Sequence, residues 1–302
     1  MSSRRDVDGV LRIVQLNIGS LIEPEWERRR HEIVAWLDRL DPDVVCFEEV
    51  WGSASSENTA SWLADHATGE WHHAFGGFPV PPPLSPDPSA RFGSAVLSRW
   101  SIDGHTVHRL PTDPADTSPL VNSVGWELLH VETAGLDVFA CHLAPAPIHG
   151  LHRQLQVLAI DELIRAARID KDPDPVPGGP RRRAMPAILC GDFNAEPDSD
   201  EIRFLSSLTS LDNRTAFYQD AWRMAGEGPG YTQDWRANPI AEAMNINRKR
   251  IDYVFVGDPF LRLGGAGRVE RAALAFHEPL TGIVASDHVG LVVDVRWPER
   301  PA

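Results

Sequence analysis

Residues 184–201 read AMPAILCGDFNAEPDSDE. The apolar run Ala187 to Cys190 stops at Gly191-Asp192-Phe193-Asn194, and Pro197 follows. A short unbroken apolar run bounded by turn residues fits a strand covered on both faces. Such a strand that ends in an acid and an amide is either a capped turn or the edge of a reactive site. The neighbouring segments separate the two readings.

The same grammar recurs along the chain. VLRIVQLNI (10–18) reads as a strand that carries Asn17 near its end. DVVCFEEV (43–50) carries Glu49, and VFACHL (138–143) carries His142. RIDYVFVG (250–257) places Asp252 just before a strand, and Ser286-Asp287-His288 precedes GLVVDVRW (290–297). Taken singly, each group has an ordinary reading. Asn17, Asp192, Asn194 and Asp287 cap turns; Glu49 sits in a surface ion pair; His142 and His288 pack; Asp252 pairs with Arg250. Recurrence at successive strand ends weakens those readings together, because polar interruptions of a core need partners or solvent.

The rest of the chain alternates helices with strands. Residues 23–40 predict a helix with Trp26, Ile33, Leu37 and Leu40 on one face and Pro24 in its first turn. Further helices are expected over 57–66, over 151–168 with a stripe of Leu151, Leu155, Leu158, Leu163 and Ala166, and from Ser199. SAVLSRW (94–100) reads as a strand, HHAFGGF (72–78) as a weaker one, and 126–143 as a strand pair turning at Gly135. The Pro-rich stretch 79–89 is a loop near the active face. A second breaker-rich loop ends in Arg181, Arg182 and Arg183, an ordinary solvated charge run or a phosphate contact. No boundary divides the chain, so residues 1–302 are expected to form one α/β domain.

Composition narrows the function classes. The 302 residues carry a formal charge of −14, which repels polynucleotides at long range and weighs against nonspecific DNA binding. No stretch approaches the roughly 18 apolar residues of a membrane span, and the N-terminus lacks a signal-peptide core; a cytoplasmic protein is expected. Cys46, Cys141 and Cys190 sit in apolar runs without zinc spacing, as buried free thiols do.

Phosphoester hydrolysis gives the polar set one use. A hard divalent cation takes oxygen ligands such as Glu49 and an Asn or Asp. Asp192 suits the orientation and deprotonation of a water. A histidine held by an aspartate supports developing phosphoryl charge, and Asn194 donates a neutral hydrogen bond to it.

QLNI, PDVVCFEEV, AVLSR, CHL, GDFNAEP, RIDYVFV and SDH, in that order, resemble the endonuclease/exonuclease/phosphatase superfamily over nearly the full chain. The resemblance implies a DNase-I-like four-layer α/β sandwich, with two central mixed β-sheets flanked by helices and the active site at one sheet edge. It assigns Asn17 and Glu49 to the metal and phosphate side, with Asp287 assisting. It places His142 at the transferred phosphoryl group, Asp192 on the water with Asn194 beside it, and Asp252 with His288 as an acid–histidine pair. Mg2+ or Mn2+ is the implied cofactor. Arg99, Trp222 and Trp235 are secondary substrate candidates; for the tryptophans the core is the ordinary alternative.

The chain departs from the family pattern in two places. Glu48 stands where Gln is frequent, to alter metal occupancy or face solvent, and Gly19 stands where some nuclease branches carry an acid. The expected activity is metal-dependent hydrolysis of a small phosphorylated metabolite or a phosphodiester. A DNA or RNA nuclease and a catalytically silent phosphate-binding protein are the alternatives.

Overall fold

The computed structural model describes residues 9–54, 58–80, 85–118, 121, 125–172 and 184–298. In chain order the strands are β1 (Val10–Asn17), β2 (Val44–Gly52), β3 (His72–Phe75), β4 (Phe78–Pro79), β5 (Arg91–Ser98), β6 (Ile102–Arg109), β7 (Glu127–Thr133), β8 (Leu136–His142), β9 (Ile188–Asp192), β10 (Tyr218–Asp220), β11 (Asp252–Gly257), β12 (Val269–Ala275) and β13 (Gly290–Arg296). The helices are α1 (Trp26–Leu40), α2 (Thr59–His66), α3 (Gly150–Ala167), α4 (Asp200–Leu205), α5 (Ala221–Ala225) and α6 (Pro239–Ala243).

The strands form two mixed sheets. One runs β12-β13-β1-β2-β5-β3, with β4 also on β5; the other runs β10-β11-β9-β8-β7-β6. Each contains one parallel pair, β1 with β2 and β8 with β9. Alternation sorts the side chains into layers. On β1, Leu11 and Ile13 enter the core between the sheets, while Val14 and Leu16 face α1 and α2. On β9 and β11, Ile188, Cys190, Val254 and Val256 face inward, while Leu189, Tyr253 and Phe255 meet α3 and α4. The result is the expected four-layer sandwich. All three cysteines are free and buried in it.

α1 buries Trp26, Ile33 and Leu37 as its spacing predicts, and with them Arg29 and Glu32. It begins after Glu25, so Pro24 lies before the cap rather than in the first turn. Arg29 is fully enclosed and donates to the carbonyls of Pro24, Ile18, Ala285, Ser20 and Glu23. It therefore ties the chain after β1 to the turn before β13.

α3 departs from its predicted stripe. Leu151 and Ala166 are exposed, and the buried face is His152, Arg153, Gln156, Val157, Ile160, Asp161 and Ile164. The polar members can turn inward because each has a partner there. Arg153 pairs with Glu201 at 2.7 Å, Gln156 accepts from the Ala144 amide, and Asp161 accepts from the Tyr218 hydroxyl. Arg181, Arg182 and Arg183 lie outside the described residues, as does the middle of the Pro-rich stretch.

Removing the Arg29 guanidinium would orphan five carbonyls. Arg29→Ala is expected to cost about 3–5 kcal/mol in denaturant unfolding. A loss under about 1 kcal/mol would contradict the bracing role.

Candidate active site

Inner-face positions that fill the core along most of each strand become polar at one end of both sheets. Gln15 and Asn17 follow Ile13 on β1, His142 follows Ala140 on β8, Asp192 follows Cys190 on β9, and Asp252 precedes Val254 on β11. Register aligns them, since Asp192 is paired with Asp252 on one side and His142 on the other.

β2 adds two consecutive acids. Strict alternation would send Glu48 and Glu49 to opposite faces. A bulge between Phe47 and Val50, with Glu49 in the left-handed region at φ 58°, breaks that alternation. Glu48 stays between the sheets, where Gln15 Nε2 donates to it at 2.7 Å and to Asp252 Oδ1 at 2.9 Å. Glu49 turns to the mouth and accepts from Asn17 Nδ2 at 3.1 Å.

Asp192 is the centre of the cluster. Its Oδ1 accepts the Asn194 amide at 2.8 Å, and its Oδ2 accepts Asn17 Nδ2 at 3.2 Å. The same Oδ2 lies 3.5 Å from His142 Nε2 and 3.7 Å from His288 Nε2. Asp252 Oδ2 holds His288 Nδ1 at 2.8 Å, which directs Nε2 into the mouth. Asn194 bends the chain at φ 50° and donates its side-chain amide to the Leu143 carbonyl.

Carboxylates outnumber cations here, and the acidities respond. Burial pushes Glu49 and Asp192 above the ordinary carboxylate range, with the neighbouring acids adding to it. Burial, with Cys46 and Asp252 nearby, drives Glu48 well above it and favours its neutral form. Burial and the adjoining Asp287 raise Glu23 to about 9; burial also works against charge on Asp287, but His288 together with hydrogen bonds from Glu23, Gln233 and Ser286 holds Asp287 low. Burial opposes charge on His288, but Asp252, Asp287 and Asp192 prevail and raise it well above the usual histidine value.

Of the sequence candidates, Asn17, Glu49, His142, Asp192, Asn194, Asp252, Asp287 and His288 gather at this mouth. Arg99 does not. It follows β5 at the opposite edge, where it stacks on Trp71 and binds Asp41, the Pro42 carbonyl and the Thr68 carbonyl. Trp222 is also elsewhere, packed in the inter-sheet core with its indole N–H on the Gly228 carbonyl. Trp235 is exposed, two residues after Gln233 and under the Arg236 guanidinium.

Four residues that sequence reasoning passed over complete the cluster. Gln15 joins Glu48 to Asp252. Gln233 Nε2 lies 3.0 Å from Asp287 Oδ2 and 2.8 Å from His288 Nε2. Thr232 Oγ1 accepts the amides of Ile251 and Asp252, and its carbonyl accepts the Val289 amide. Glu23 accepts from Ser286 Oγ and the Asp287 amide. Glu23 also explains Gly19: a Cβ at that glycine would lie 1.6 Å from Glu23 Oε1. The space that an acid at position 19 would need is filled by a carboxyl from position 23. Glu48 is fully buried, so it does not face solvent.

The donor set fits a hard divalent cation: the Glu49 carboxylate and the Asn17 amide bonded to it, with the Asp287 carboxylate acting on Glu49, in a mouth with surplus negative charge. Asp192, Asp252 and His288 also bring ligand atoms within 4.8 Å of one another. Two other groupings are less suitable. In Asp116, His149 and His152, each histidine Nδ1 already accepts a backbone amide, which leaves the proton on Nε2. In His130, Glu132 and Asp137, the aspartate is saturated by Arg168, Lys171 and His130.

The raised pKa values set a sign for pH. Glu23, Glu49, Asp192 and His288 hold protons more tightly folded than unfolded. Their contribution is present below the unfolded values, about 4 for the acids and about 6.5 for histidine, and is lost as pH rises through the folded ones. Metal-free protein should therefore lose thermal stability from pH 6 to pH 9, and saturating Mg2+ should raise Tm more at pH 8 than at pH 5.5. An equal or smaller gain at pH 8 would contradict this electrostatic account.

Comparison with known proteins agrees with the fold. The family model described as the Endonuclease/Exonuclease/phosphatase family matches residues 14–288. Nocturnin of Xenopus laevis is 29% identical over 124 residues, a match that spans 39% of this chain and only 29% of that protein. Among solved structures, an endonuclease/exonuclease/phosphatase from Beutenbergia cavernae superposes at TM-score 0.67 with 20% identity, covering 96% of this chain and 72% of that one. TDP2 of D. rerio, complexed with a single-strand DNA product, gives 0.66 at 20% identity and covers 96% and 100%. The human Nocturnin catalytic domain with bound sulfate gives 0.63 at 20% identity and covers 96% of both chains. At these identities the superpositions speak for the fold, and the model match over 14–288 carries the assignment: the chain belongs to the endonuclease/exonuclease/phosphatase family.

Proposed function

We propose that this protein hydrolyses a phosphoester bond with the aid of a divalent cation, by in-line attack of water. The observation that carries the reading is the convergence on Asp192 Oδ2. Asn17 Nδ2 lies 3.2 Å away, His142 Nε2 3.5 Å and the Asp252-held His288 Nε2 3.7 Å, with Glu49 one hydrogen bond beyond.

Each residue then has a task. Asp192, more basic than an exposed carboxylate, orients the water and accepts its proton. Its Oδ1 is held by the Asn194 amide, which leaves Oδ2 for the reaction. His288 presents Nε2–H to a phosphoryl oxygen, with Asp252 fixing the ring and favouring its charge. A charged ring requires the Gln233 amide, whose Nε2 faces His288 Nε2 at 2.8 Å, to move off that nitrogen as the phosphoryl oxygen arrives. His142 faces the same oxygens from the opposite sheet neighbour. Asn194 keeps a second amide hydrogen for them. Glu49, Asn17 and Asp287 form the metal side; bound there, Mg2+ or Mn2+ supplies charge neutralisation and polarises the phosphoryl group. As the new oxygen–phosphorus bond forms, the ester P–O bond breaks, and the released alcohol takes a proton.

A small phosphorylated metabolite or a phosphodiester is the proposed substrate, because the chain carries −14 formal charge. The DNA product complex of TDP2 keeps a nuclease as the second reading. Asp192→Asn and His288→Ala should each lower kcat about 10²–10⁴-fold on any accepted phosphoester without loss of fold. Full activity in both variants would defeat the assignment. Metal binding without turnover across sugar phosphates, nucleotides, headgroup diesters, DNA and RNA would instead indicate a silent binding protein.

A further inference from the structure

Beside the polar mouth lies an apolar cleft of about 530 Å³. It is lined by Leu21, Ile22, Trp51, Phe78, Val80 and Phe92, and none of its described lining residues is charged. The cleft is continuous with the candidate site along the chain and in space. Trp51 lies two residues past Glu49, and Leu21 lies two past Gly19, whose amide donates to Asn17 Oδ1. The Phe92 ring centroid is 6.4 Å from that of His142 and 5.9 Å from that of Trp51. A row of rings therefore leads from the phosphoryl-facing histidine into the cleft.

The cleft is built rather than incidental. Gly125 lets Phe78 close over the backbone, since a Cβ there would meet that ring at 2.0 Å. The Arg109 guanidinium sits over the Phe78 ring, 5.3 Å from its centroid. Leu21 and Ile22 remain 52% and 57% exposed, adjacent large aliphatics in the lining of the cleft. A volume of this size suits a small-molecule group, and among the described residues the lining is apolar or uncharged, with the Arg109 guanidinium spent on the Phe78 ring, which suits an apolar group better than a polyphosphate or a nucleic-acid backbone.

We propose that the cleft is a leaving-group subsite, and that the substrate is a dissolved phosphoester of an aliphatic or aryl alcohol. This rests on the phosphoesterase reading and narrows it. Water adds to phosphorus at the Asp192 side, the P–O bond to the apolar alcohol breaks, and the alcohol leaves with one proton. Water is the only co-reactant.

A homologous series tests it. Monoalkyl phosphates and alkyl methyl phosphates from ethyl to octyl share nearly the same leaving-group chemistry, so chain length reports burial. With Mg2+, kcat/KM should rise about two- to fourfold per added methylene. The Leu21→Ser/Ile22→Ser double variant should keep its rate on the ethyl ester and lose at least about tenfold of the octyl advantage. Calorimetry with the matching alkylphosphonates, which contain no cleavable ester, reads the cleft without turnover. Phosphonate affinity that rises with length and falls in the double variant supports the subsite even if no ester is hydrolysed, in which case the phosphoesterase reading alone fails. Hydrolysis at a rate indifferent to length, with equally flat phosphonate affinities, overturns the subsite and leaves the phosphoesterase reading standing. Turnover confined to esters embedded in phosphatidylcholine vesicles, with the dissolved series flat, overturns it as well.

Discussion

The mouth of this sandwich concentrates buried carboxyls with too few cations to balance them. Glu23, Glu48, Asp192, Asp252 and Asp287 are each under a tenth exposed, Glu49 adjoins them, and His288 contacts three of the aspartates. Isolated burial of such charges is costly, and a protein answers by pairing them or by holding protons. Both answers are visible. Asp252 and Asp287 bracket His288, while Glu23 and Glu48 are pushed toward their neutral forms. Glu49 and Asp192 face the opening with charge unsettled, the condition under which a cation and a phosphate together are welcome.

Strand geometry makes that concentration achievable. Because alternate residues share a face, a strand delivers one side chain to the mouth for every two residues, and four of the strands do so from their inner faces. β2 delivers two through its bulge, one to the interior and one to the opening. The braces lie outside the strands. Arg29 and Glu23 bind the chain after β1 to the turn that carries Asp287, and Thr232 with Gln233 bind that turn to β11.

Much of this was legible in the residues, for physical reasons. Strands covered on both faces write themselves as apolar runs, so β1, β2, β8, β9, β11 and β13 were readable along with the polar groups at their ends. Edge strands do not. β6 is largely solvent-facing, and β12 mixes Arg271 and Glu270 with alanines, so neither has a distinctive run. The stripe on α3 misled because Arg153, Gln156 and Asp161 are buried by pairing, which apolar spacing cannot register. Gln15, Glu23 and Gln233 were invisible for a related reason: their worth lies in contacts made across 33 to 264 residues of separation. Gly19 looked like a missing acid, and only coordinates reveal the carboxyl from position 23 in its place.

Locating the cation tests the account most directly. Anomalous scattering from crystals grown with Mn2+ should show a peak at the mouth, within about 2.0–2.3 Å of a Glu49 carboxylate oxygen, and the peak should vanish in Glu49→Gln. A saturated crystal whose Mn2+ lies only at His149 and His152, or at no inner-face carboxylate, would contradict the claim that this acid-rich opening is built around a metal and a phosphate.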